Sequence, residues 1–229
     1  MPISNKSKTR PVLETWISSK NLKSILLPKS FPDRGISVLK ALKRRKTTRE
    51  ISERNLPLDI LSGLLWAAWG VNRKKGPFGI SGRTAASASN SQEIELLVAL
   101  HEAIYFYDAL NHRLVPLAEG DWRKLAIGKG QEEFMADAPV QLIYLVNIDR
   151  LVHTSGYREP GLRDPETQKS YYYTDTGLIA ANVYLYAASL GMACWFHNCN
   201  KPGLAAKLKL PENKRALFGQ SVGYPAVRK

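Results

Sequence analysis

The order of its apolar periods constrains this chain most. Helical stretches stand before, between and after the strand-like ones, without regular alternation. The run Val140-Gln-Leu-Ile-Tyr-Leu-Val146 is the clearest buried strand, being short, continuous and apolar. Ile94–Leu100 reads as another strand. Ala103–Asp108 and Leu114–Leu117, joined across the turn-like Asn111-His112, complete a small meander. Met192–His197 and Ala216–Val222 supply the last two strands. Helical spacing appears over Ile36–Arg45 and again after Pro57, where Leu58, Leu61, Leu64, Leu65 and Ala68 share a face and Gly70 is the stop. Trp122–Ile127, Glu132–Ala136 and Pro202–Leu208 read as short helical pieces. Ser170–Leu190 reads as one long buried helix ended by Gly191. His153–Lys169 reads as a long polar loop. This sequence of elements predicts an α+β fold rather than a doubly wound sheet.

Residues 1–35 are polar and punctuated by proline, with the apolar island Ile25-Leu26-Leu27, and read as an arm that packs on a body or a partner. Residues 36–229 then form one domain, a length that allows an ample core within the total of 229 residues. The N-terminus lacks the apolar run of a signal peptide, and no stretch reaches the ~18 apolar residues needed to span a bilayer. The expectation is a cytoplasmic protein. Cys194 and Cys199 fit neither a zinc site nor a disulfide framework and read as reduced thiols. The four histidines, His101, His112, His153 and His197, have no metal-ligand spacing, so no metal is expected.

The formal net charge is +13, which raises the question of a nucleic-acid partner. Tight basic clusters occur at Lys43–Lys46 and Arg73–Lys75, and no zinc-finger spacing or aromatic RNA-binding signature accompanies them. Nucleic acid is therefore not the expected partner, and the charge fits an anionic cofactor better. Arg44, Arg45, Lys46 and Arg49 crowd four cations into one short run, and an anion would relieve their repulsion. Arginine offers a planar fork of donors for phosphate and carbonyl oxygens, and Thr47 adds a hydroxyl. Alone, this run reads as a solvated basic helix end. The second segment, Ala86-Ser-Ala-Ser-Asn-Ser-Gln92, combines small residues with Asn90 and Gln92, which each carry both donor and acceptor. That suits the edge of a flat heterocycle, though alone it reads as a serine-rich loop.

Taken together and in order, these segments resemble the nitroreductase family. Arg45-Lys-Thr-Thr-Arg49 stands where the family has Arg-Arg-Ser-x-Arg, and Ser87-Ala-Ser-Asn-Ser-Gln92 where it has Ser-Ala-Gly-Asn-x-Gln. The long helix ending Leu190-Gly-Met192 and the closing Val222-Gly-Tyr-Pro225 extend the likeness from about residue 36 to residue 225. Leu65–Arg73 and Gly82-Arg-Thr84 look like a branch near the thiazoline and thiazole dehydrogenases. The resemblance implies a central, mainly antiparallel mixed sheet flanked by helices, in a homodimer with FMN at the subunit interface. It implies that Arg45, Lys46, Thr47 and Arg49 contact the FMN phosphate, ribityl chain and pyrimidine edge, and that Ser87, Asn90 and Gln92 line the ring. Trp195, Phe196 and His197 would lie by the flavin from the other side, His197 as a substrate contact or a structural residue. Arg228 or Lys229 would reach the phosphate. Ser89 replaces a family glycine, so a positive φ there would be less comfortable.

The expected activity is ping-pong transfer from NADH or NADPH through FMN to an electron-poor acceptor such as a nitroaromatic or quinone. The cofactor carries the chemistry, so no catalytic side chain is expected. Two other readings stand beside this one: a flavin-dependent dehydrogenase of thiazoline or oxazoline rings in peptides, and a flavin- or nucleic-acid-binding protein without catalysis.

Overall fold

The computed structural model describes residues 22–29, 35–131, 138–154 and 160–226. Its core is a seven-stranded sheet in the order β1-β6-β5-β4-β7-β9-β8. The strands are β1 (Ile25–Leu26), β4 (Ile94–Ala99), β5 (Ala103–Asp108), β6 (Arg113–Glu119), β7 (Val140–Asn147), β8 (Ala193–His197) and β9 (Lys214–Gly223). Every neighbouring pair is antiparallel. The sheet is thus not mixed among the described residues, which corrects one part of the expectation. Two further strands, β2 (Val71–Arg73) and β3 (Gly82–Arg83), pair as a ribbon at the ends of the basic loop.

Both faces of the sheet are covered, which is why the central strands read as continuous apolar runs rather than alternating ones. Leu96, Val98, Leu142 and Tyr144 pack with the helices α2 (Leu58–Trp69) and α4 (Pro165–Ser189). Leu97, Ala99, Ile143 and Leu145 face the opposite layer, where Leu204 of α5 (Lys201–Leu208) and Ala126 of the 3₁₀ turn Arg123–Ala126 close the core. Glu95 interrupts the apolar run of β4 and is buried. Lys214 Nζ lies 2.9 Å and Arg150 Nη2 3.2 Å from its two carboxylate oxygens. Burial of that charge is tolerable only because it is paired twice.

The expected strands and helices are present where they fall on described residues, with α1 spanning Val38–Arg44. Two assignments are corrected. Helix α4 starts at Pro165, not Ser170, because Asp164 caps it: its Oδ2 accepts the Thr167 N–H at 2.7 Å, and Pro165 fits the first turn. The polar loop before it is correspondingly shorter, and a short helix α3 (Ile148–Val152) precedes it. Part of the N-terminal arm is seen: Ile25 and Leu26 add an edge strand to β6, and Leu27 is buried. Residues 1–21 and 30–34 of that arm, Glu132–Ala136, Arg228 and Lys229 lie outside the described residues.

Candidate flavin site at the long helix

Helix α1 ends where Arg45 leaves helical geometry, and Arg45 to Arg49 then run on outside any helix or strand toward the edge strand β8. The Thr48 N–H donates to Cys194 O at 3.0 Å, which ties this segment to β8. Its side chains meet α4 at Tyr184. The Arg45 guanidinium lies 5.5 Å from the Tyr184 ring centroid, and Thr47 Oγ1 lies 3.1 Å from Tyr184 Oη. The same phenol oxygen accepts the Phe196 N–H at 2.9 Å. Arg49 stacks over Trp195, 4.7 Å from its ring. Arg45, Thr47, Arg49, Trp195 and Phe196 are therefore brought together.

Beside them lies a cleft of about 460 Å³ lined by Arg44, Lys46, Thr48, Tyr184, Met192 and Cys194, among others. Among the described residues, Arg44, Arg45, Lys46 and Arg49 have no carboxylate within ion-pairing distance. Two of the guanidinium groups rest on aromatic faces, which orients the cations without neutralising them. Exposed donors of this kind fit a phosphate group.

His197 packs edge-on against Trp195, with ring centroids 5.7 Å apart, but its polar atoms turn away from this set. It is 6% exposed, with Nδ1 2.8 Å from Asn198 O and Nε2 2.9 Å from Ser221 Oγ. Burial pushes its pKa down to about 4. Both ring nitrogens are engaged, and the imidazole is neutral at physiological pH.

The serine-rich segment forms a tight 3₁₀ turn, Ala88–Asn90, just ahead of β4. Ser87 Oγ accepts the Gln92 N–H at 3.1 Å, and Gln92 Nε2 donates to Asn90 Oδ1 at 3.0 Å and Ser81 O at 2.6 Å. Arg83 Nε donates to Gln92 Oε1 at 2.7 Å, so the Gln92 amide is spent within the protein. Asn90 Nδ2 has only a long 3.5 Å contact with Pro77 O and keeps donor capacity. Ser89, Asn90 and Gln92 all have positive φ, at 48°, 55° and 53°. Ser89, which replaces a family glycine, thus does adopt the left-handed backbone that a non-glycine residue takes less comfortably, and Asn90 and Gln92 adopt it too.

This turn also rests on α4, through the Ala88 N–H donated to Asp175 Oδ2 at 2.8 Å. Asp175 and Tyr184 are nine residues apart on that helix, or about 14 Å along its axis. The two segments share α4 as a scaffold but do not share the cleft, which no residue from 87 to 92 lines. Sequence reasoning missed Tyr184, Glu93, Asp175 and Arg83. A carboxyl group at the mouth of a wholly buried strand, and a single acid in the run from Tyr171 to Ala188, were the available signals.

An antiparallel sheet crossed by one long helix, with a cleft at its edge strand whose lysine and arginine have no carboxylate partner among the described residues, defines an α+β protein. The chain belongs to the nitroreductase family, whose sequence profile matches residues 42–224. Proteins of this family are generally flavin-dependent oxidoreductases, and the membership makes this chain an oxidoreductase of that type. It is similar to a Methanocaldococcus jannaschii protein provisionally named a nitroreductase, at 31% identity over 156 residues, or 65% of this chain and 72% of the relative. A crystal structure from Ralstonia eutropha JMP134, also provisionally named a nitroreductase, aligns with a TM-score of 0.76 at 30% identity, over 93% of this chain and 94% of that one. A structure from Clostridium acetobutylicum provisionally named an NADH oxidase aligns over 84% of this chain and 90% of its own, with a TM-score of 0.52. At 16% identity, this last likeness speaks for the fold alone. Among the described residues, no helix is long and apolar enough to cross a membrane.

Proposed function

We propose that the protein is an FMN-dependent oxidoreductase that takes reducing equivalents from NADH or NADPH and passes them to an electron-poor small molecule such as a nitroaromatic or quinone. The observation that carries this reading is the set Arg44, Arg45, Lys46 and Arg49, four cations without a carboxylate partner among the described residues, of which Arg44 and Lys46 line an open cleft. When bound, FMN supplies hydride acceptance at N5 and onward electron transfer. The protein's own residues bind and orient. Arg45, Lys46, Thr47 and Arg49 hold the phosphate, ribityl chain and pyrimidine edge, and their positive charge favours an anionic reduced ring. Ser87 and Asn90 present polar groups to the ring, Asn90 with the free donor, while Gln92, whose amide is engaged by Arg83, Ser81 and Asn90, shapes the turn that carries them.

The separation of these two groups along α4 supports assembly of the complete site by two copies of the chain. Leu39 of α1 is 72% exposed, and Val38 and Leu42 of the same helix are also exposed, as are Tyr173 and Leu178 of α4. A second copy would cover this apolar surface. Titration of the purified protein with FMN, followed by flavin fluorescence, tests the reading. Wild type should bind, and Arg45→Ala combined with Asn90→Ala should weaken binding at least tenfold with an unchanged circular dichroism spectrum. Equal affinity in the two proteins would overturn the placement, and no FMN binding by wild type would overturn the reading itself.

A further inference from the structure

The turn that carries Ser87, Asn90 and Gln92 is braced by two carboxyl groups. Glu93 is fully buried and Asp175 of α4 is 4% exposed. Asp175 Oδ2 accepts the Ala88 N–H at 2.8 Å, and Glu93 Oε2 accepts the Ser91 hydroxyl at 2.5 Å. The remaining Glu93 oxygen, Oε1, is buried and meets no donor among the described residues. What Glu93 does meet is the side chain of Asp175, within hydrogen-bonding reach. Two ionised carboxylates cannot share so dry a contact, and an unpaired buried carboxylate oxygen carries a heavy desolvation penalty. One proton removes both difficulties, because a protonated Glu93 donates to the Asp175 carboxylate.

We propose that Glu93 and Asp175 share a single proton, and that this proton fastens the turn Ser87–Gln92 to α4 in the geometry that receives the flavin ring. The assignment of the ring to this turn rests on the function proposed above. Glu93 acts here as a positioning residue, through the backbone it anchors.

The charged groups around the pair are committed elsewhere. Arg150 of α3 donates to Gln92 O at 3.0 Å and pairs with Glu95. Arg83 of β3 donates to Gln92 Oε1 and to Trp69 O, and Lys214 of β9 pairs with Glu95. Among the described residues, no lysine or arginine forms an ion pair with either carboxyl group. Burial first, and the facing carboxylate second, push the Glu93 pKa up to about 8, and burial raises that of Asp175 as well. The fastening is present at neutral pH and is lost as the pH rises through the upper value.

Infrared difference spectra of wild type against Glu93→Gln, recorded without flavin, read the proton directly. A carbonyl band of a protonated carboxylic acid should be present near pH 7, fade by about pH 9, and be missing from the variant. Its absence at pH 7 would overturn the shared proton. FMN titrations then read the fastening. Wild-type affinity should fall about tenfold from pH 7 to pH 9, as loss of one linked proton requires. Glu93→Gln keeps a donor facing Asp175 and should hold its affinity at both. An equal fall in the variant would overturn the positioning role. An acid band in a protein that binds no FMN at any pH would keep the proton and overturn the flavin assignment of the turn.

Discussion

Tyr184 connects three parts of the candidate site through one phenol group. Its oxygen accepts the Phe196 N–H of β8 and meets the Thr47 hydroxyl, while its ring underlies the Arg45 guanidinium. Tyr184→Phe keeps the ring and removes the oxygen, leaving a half-buried backbone N–H without its partner. A loss of about 1–3 kcal/mol of stability is expected, the usual cost of an orphaned donor. Flavin affinity should drop with it, because Thr47 and β8 lose their common anchor. Chemical denaturation and FMN titration measure the two effects. A variant unchanged in both would show that the phenol oxygen does not organise the site. The basic run and the Asn-x-Gln turn were legible in the sequence because cations and amides declare their chemistry in their residue types. Tyr184 was not, since a tyrosine in a long apolar helix looks like core until its hydroxyl finds an acceptor or donor far away in the chain.

Elements were legible where local rules fixed them. Gly70 ended α2 and Gly191 followed α4 as read from the sequence, and the run at 140–146 was a strand as its pattern required. The start of α4 was less visible, because its first turn is polar and only the Asp164 cap marks it. The sheet order was not legible at all. It joins β4 to β7 and β7 to β9, strands far apart in sequence, and pairing across such distances is set by the whole core rather than by any local signal. The packing of α2 on α4 is similarly hidden until Gly63 is seen against Tyr186. A Cβ added at Gly63 would lie 2.2 Å from the Tyr186 hydroxyl oxygen, which itself donates to Ile60 O. Gly63→Ala must displace that ring. The better helix propensity of alanine, about 1 kcal/mol, should be outweighed by overpacking of about 1–3 kcal/mol. Thermal denaturation should show a lower Tm, and a rise would mean that the α2–α4 contact yields easily.

Across the whole molecule, two buried titrating sites of opposite sign shape stability against pH. His197 has a folded pKa near 4, below its ordinary value of 6.5, so the unfolded chain binds more protons in that interval. Its contribution is complete above pH 6.5 and is lost as the pH falls toward 4. The Glu93–Asp175 pair holds its proton more tightly when folded, so its contribution falls as the pH rises toward about 8. Between about pH 6.5 and 8 the pair outweighs His197. Stability should decline there by up to about 1.4 kcal/mol per pH unit, the limit for one proton. Denaturant titrations across this range should find that slope in wild type and a flatter one in Glu93→Gln, and identical slopes would contradict the account. The central claim, that this family member works through a flavin held by its cationic cleft, has a more direct test. The FMN-reconstituted protein should show a visible flavin band that bleaches anaerobically on addition of NADH or NADPH and returns when a quinone is added. A bound flavin that neither nicotinamide can bleach would contradict it.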